Sequence, residues 1–166
     1  MGSPVWARLG AVDPPPSVRM ALGLPDTPAG DLGEFGLRYA AAERAAWRYH
    51  RAFGTVDPGT PEHDRLAAGW TTVLVQLDRA GRLCTSGAVA SDRTPARRPG
   101  VRLSHRQRLS PRQRHLHNLH RCLLALERAA DAAVAVAVSV ALAPAAPADE
   151  VDEALSALSA ALADLV

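Results

Sequence analysis

Four stretches of this chain carry apolar residues that step alternately by three and four, a spacing that gives a helix one dry face and one wet one. Phe35, Tyr39, Ala42, Ala46, Tyr49 and Phe53 make the first stripe, and Leu66, Trp70, Val73 and Leu77 the second. Leu116, Leu119, Leu123, Leu126, Ala130, Ala133, Ala137 and Val140 form the third, and Val151, Leu155, Leu158, Leu162 and Leu165 the fourth. A shared repeat of about 3.5 residues, with two short connections, predicts an all-α fold: an antiparallel four-helix bundle.

The ends of these helices are signalled locally. Asp31 and Glu34 have capping-box spacing, and the first helix should run to Phe53 and stop at Gly54. Thr60 and Pro61 suit an N-cap and first helical residue, with Gly81 as the left-handed stop. Ser110, Pro111 and Gln113 form a second capping box, and that helix should end before Pro144. Asp149, Glu150, Asp152 and Glu153 complement the positive end of the last helix. Two patches compete with this reading. Thr71–Leu77 and Leu83–Val89 could pair as a hairpin, and Val134, Val136, Val138, Val140 and Leu142 alternate with a period of two. Signals at both ends of the second helix, and the alanine density of the third, favour helix in both places.

At 166 residues the chain fits one domain. Pro4, Pro14, Pro15, Pro16, Pro25 and Pro28 fix the backbone and remove donors, so residues 1–30 read as an extended proline-rich strap. Its Val5, Trp6, Leu9, Met20, Leu22 and Leu24 should lie along a helical body spanning residues 31–166. No run of 18 apolar residues occurs, so no membrane span is expected. The N-terminus lacks a basic start followed by an apolar run, so no export signal is expected. Cys84 and Cys122 make no disulfide framework, which fits a reducing cytoplasm.

Charge is the least ordinary property. Between Arg82 and Arg114 lie nine arginines and one acid, Asp92, for a net +8, whereas the rest of the chain carries −6. Lysine is absent and alanine abundant, as G+C-rich codons impose, so arginine in place of lysine is no functional choice by itself. Its concentration between the second and third helices is another matter. Residues 82–109 read as a long Arg-rich insert in that connection. Arg97, Arg98, Arg102, Arg106, Arg108 and Arg114 are candidate nucleic-acid-binding residues, because guanidinium groups grip phosphate bidentately. An acidic protein partner would be met by the same charge. Aromatic residues that could stack on bases are missing from the insert.

Metal and cofactor sites are not expected. His117 and His120 could share an ion on one helical face, but His115 and Cys122 fall on the opposite face, and two ligands do not make a site. Glu43 and His50 lack the Glu-x-x-His pattern of di-iron bundles; His50 reads instead as a hydrogen-bonded residue near Trp47. Cys122 reads as packing and Cys84 as an exposed loop thiol. No phosphate-binding loop, dinucleotide fingerprint or nucleophile elbow occurs.

Arg112-Gln-Arg-His-Leu-His117 resembles the motif of the HEPN ribonucleases, compact helical bundles that dimerise with the motif facing a shared cleft. The resemblance covers these six residues and the helix count. It implies His117 as general acid/base for attack by a 2′-hydroxyl, and Arg112 as stabiliser of charge on the phosphate. The leading expectation is a non-enzymatic adaptor or regulatory protein, oligomeric through its helical faces, that docks onto protein or nucleic acid through the Arg-rich insert. A metal-independent endoribonuclease using Arg112 and His117 is the alternative.

Overall fold

The structure is a computed structural model that describes residues 33–92, 109–143 and 148–166. Among the described residues there are four helices and no strands: α1 (Gly33–Phe53), α2 (Pro61–Asp92), α3 (Pro111–Leu142) and α4 (Ala148–Ala163). The chain is thus all-helical, and both competing strand patches are helical. The strap at residues 1–30, Asp31 of the first capping box, and Arg93 through Arg108 lie outside the described residues.

Local signals account for three of the ends. The Thr60 hydroxyl accepts from the His63 backbone N–H at 3.2 Å and opens α2 just after Gly59, whose φ of +88° favours glycine. Ser110 and Gln113 exchange both capping-box bonds, at 3.2 and 2.8 Å, with Pro111 behind them. The first helix ends at Phe53 before Gly54. Glu34, at its start, pairs with Arg38 one turn on at 2.8 Å.

The expected stop at Gly81 is overturned, for α2 continues to Asp92. The reason lies beyond Leu77: Ala80, Cys84 and Gly87 prolong the stripe by steps of three, four and three, and all three are buried. Their side chains are too small to register as an apolar face. At Gly87 the Phe35 ring takes the place of a side chain, its Cζ 2.5 Å from where a Cβ would stand. A helix carrying this surface stays buried, which offsets the ~1 kcal/mol that an interior glycine costs. Arg82 is therefore helical rather than part of a loop, and it pairs with Asp78.

The core is a single cluster of buried side chains from all four helices. Helix α3 packs on each of the other three, while the backbones of α1 and α4 stay apart. Phe35 near the start of α1 lies against Gly87 near the end of α2. Tyr49, near the end of α1, donates from its buried hydroxyl to the Leu66 carbonyl at 3.0 Å, near the start of α2. Leu77, Leu119, Leu126 and Leu155 are buried as expected, but Trp70 and Leu162 are only partly buried at the edge. In α3 the alanines rather than the valines take most of the inner face: Ala129, Ala130, Ala133 and Ala137 are buried, whereas Val134 and Val138 are half-buried. Two surface ion pairs, Arg48 to Asp131 at 2.8 Å and Arg128 to Asp164 at 3.3 Å, bridge separate elements. No described helix is long and apolar enough to cross a membrane.

Candidate functional site

The capping box at Ser110 fixes where α3 begins, and so fixes which side chains its first turns present. Arg112, Arg114, His117, Asn118, His120 and Arg121 are all exposed. No acid occurs between Pro111 and Leu126. Cations at the positive end of a helix dipole are unfavourable, by about 0.3–1 kcal/mol each. Arg112, Arg114 and Arg121 make no ion pair with another described residue, whereas Arg38, Arg48, Arg82 and Arg128 each hold a carboxylate. Among the described residues, these exposed cations of α3 have no acid paired with them.

Of the sequence-predicted site residues, Arg112, Arg114 and His117 are exposed in these first turns, on different sides of the helix. Arg97, Arg98, Arg102, Arg106 and Arg108 lie outside the described residues. Arg112 and His117, five residues apart, project about 140° apart around the helix axis. His115 donates from Nδ1 to the Pro111 carbonyl at 2.7 Å, so that ring serves the helix start. Among the described residues no group of three or more His, Cys, Asp or Glu side chains is placed to hold a metal ion.

Further along α3 lies a cleft against α2, of about 210 Å³. Gln76 and Arg79 line it from α2, and Asn118, Arg121 and Cys122 from α3, with Asp164 beyond the end of α4. Gln76 is buried and forms part of the wall: its amide donates to the Leu165 carbonyl, while its backbone carbonyl accepts from the Cys122 thiol at 3.4 Å. Burial pushes the Cys122 thiol up, against the opposing pull of the nearby Arg79 cation. Cys84 is not the exposed loop thiol expected; it is fully buried within α2, and burial pushes its pKa up as well. Neither thiol has the environment of a nucleophile.

A second cluster joins α1 and α2. The His50 ring lies 5.5 Å from Trp47, stacked, and 5.1 Å from Trp70, tilted. The neighbourhood of Trp47 is as expected, but the hydrogen bond is not found at Nδ1: that atom and Trp47 Nε1 are buried with no partner among the described residues. Burial, then the Arg51 cation, lowers the His50 pKa. Packed rings leave no room between them for a substrate, and the cluster serves as helix-to-helix packing.

Sequence reasoning missed Asn118, Arg121 and Arg79. The first two were within reach, because Arg114, Asn118 and Arg121 step by four and three and so share a stripe. Arg79 joins them only through the pairing of α2 with α3, for which the spacing holds no signal. No protein-family model matches the chain, and no curated protein and no solved structure matches it either.

Proposed function

We propose that this chain is a non-enzymatic helical adaptor or regulatory module, an antiparallel four-helix bundle that docks onto a polyanionic partner through one basic surface. The residues proposed to make that contact are the arginines between residues 93 and 108 in the sequence, with Arg112, Arg114 and Arg121 of α3. The partner is nucleic acid or an acidic protein face. The observation that carries this reading is that Arg112 and Arg114, exposed in the first turn of α3, pair with no described acid at the positive end of the helix dipole, an arrangement stability alone would disfavour. The contacts of Phe35 with Gly87 and of Tyr49 with Leu66 support the antiparallel arrangement for α1 and α2. Exposed Leu37, Val75 and Leu124 are the side chains that would support a homodimer through helical faces. A cytoplasmic setting agrees with two free thiols, one of them fully buried.

The test is a salt series with labelled single-stranded RNA and, in parallel, polyglutamate. Affinity for RNA should fall steeply with salt, because each neutralised phosphate releases counterions. Replacing Arg97, Arg98, Arg102, Arg106 and Arg108 by Gln should flatten the slope by about 0.7 for each phosphate of the single strand that is no longer neutralised. Binding to polyglutamate but not RNA would assign the partner to the protein class. Failure to bind either at low salt would end the docking proposal. The ribonuclease alternative uses the same helix end, where Arg112 and His117 are both open to solvent. If RNA is cut as well as bound, His117→Ala should abolish cleavage and spare binding; cleavage that survives it removes that reading.

A further inference from the structure

We infer that His50 is a proton-operated catch between α1 and α2: with its ring neutral this end of the bundle stays closed, and with the ring charged it opens. None of the residues proposed to meet a polyanion takes part in it.

The catch is built by ring packing. From α1, Trp47 stacks on His50 with centroids 5.5 Å apart, and from α2 Trp70 meets the same ring at 5.1 Å. Trp70 also stacks on Tyr49 at 5.9 Å, and the Tyr49 hydroxyl donates to the Leu66 carbonyl of α2. Gly69, next to Trp70, leaves the space that the Tyr49 hydroxyl and a Leu162 methyl of α4 occupy. A change at His50 therefore reaches the joint of α1 with α2 and the seat of α4.

Two forces compete over a proton on that ring. An imidazolium is attracted to the faces of the two indoles. Against this, the ring is partly buried, and its Nδ1 is sealed from solvent with no hydrogen-bond partner among the described residues. A neutral ring can leave Nδ1 bare, whereas the charged ring must carry an N–H there. The other sealed atom of the cluster, Trp47 Nε1, is itself a donor and cannot accept from it. A buried donor without an acceptor is costly, and more so on a charged group.

The surrounding charges do not reverse this balance. On α1 stand Arg51, next to His50 in the chain, and Glu43, two turns back; α2 opens with Glu62, His63, Asp64 and Arg65. From α3 comes Asp131, already held by Arg48, and from α4 Asp164, held by Arg128. No described acid pairs with His50. Burial, and after it the Arg51 cation, hold the His50 pKa below its ordinary value of 6.5. In the unfolded chain the ring takes up its proton near that ordinary value, before the packed ring does. Stability is therefore full above about 6.5 and declines as pH falls below it, until the packed ring charges too. A charged ring regains its hydration by leaving the indoles, and each indole it leaves is exposed.

The test uses the full chain carrying Trp6→Phe, which leaves Trp47 and Trp70 as its only indoles. Their quenching by acrylamide and the urea midpoint would be followed from about pH 8 to about pH 5, the range in which histidine changes charge. Quenching should rise and the midpoint should fall as pH drops below about 6.5. His50→Phe keeps a ring that cannot charge and should flatten both curves, as should His50→Gln. His63→Gln removes the neighbouring histidine, which packs on Phe53 at 4.8 Å, and should leave both curves sloped. Flat curves in the chain that keeps His50 would overturn the catch. So would a slope that survives both His50 variants, or one that disappears with His63→Gln. Should neither His50 variant fold, the assigned His50 ring signal in the NMR spectrum of the unaltered chain decides. Titration below 6.5 is the expected result; titration at or above it would mean that the indoles hold the charged ring, and the catch is overturned.

Discussion

Along α3, residues 111–124 bury Leu119 and Leu123, while residues 125–142 bury Leu126, Ala129, Ala130, Ala133, Val136 and Ala137. The second half lets its neighbours approach closely over a smooth alanine surface, and what it contributes is cohesion. Polar and cationic side chains crowd the first half, with no acid among them and a helix dipole that opposes them. One stripe of three-and-four spacing runs through both. The stripe explains why α3 is a helix, whereas departures from good helix chemistry on the other face mark where the chain serves something besides stability.

If the second half is the cohesive one, damage there should be the most severe. Leu126→Ala removes a side chain that is 1% exposed and should cost about 2–5 kcal/mol, read as a drop in the urea midpoint without a change in slope. Ala133→Leu tests the same surface from the opposite direction. Ala133 is fully buried, and adding a branched side chain there should cost about 1–3 kcal/mol by overpacking. An unchanged midpoint in both variants would mean that the alanine face is not a close contact.

The same contrast separates what spacing can reveal from what it cannot. Thr60 and Ser110 open their helices because a cap is a bond between residues three apart, wholly contained in the local sequence. Gly81 misleads, because glycine suits a helix end only when nothing beyond it is buried, and Ala80, Cys84 and Gly87 carry the buried face past it with hardly any side-chain bulk. A helix ended at Gly81 necessarily puts Cys84 in a loop, so both errors have one cause. In the cleft, Asn118 and Arg121 are legible, because they continue a local stripe that starts at Arg114 outside it. Their partner Arg79 is not: which residue of α2 faces Arg121 depends on how two helices slide against each other, and that is settled by the whole core.

The smallest expected effect is the most discriminating, because its sign reverses. If Arg112 and Arg114 serve a partner at the expense of the fold, removing them should help the fold. Glutamate at either position would place an anion in the first turns of α3, at the positive end of the dipole, and lift the local excess of cations. Arg112→Glu and Arg114→Glu should therefore each raise stability by about 0.3–1 kcal/mol at low salt, with the gain shrinking as salt screens it. Binding to the polyanion should weaken in the same variants. Higher stability with weaker binding is the trade expected at a functional surface. Lower stability in both variants would show that these arginines hold the helix start in place, and the two halves of α3 would then differ in composition alone.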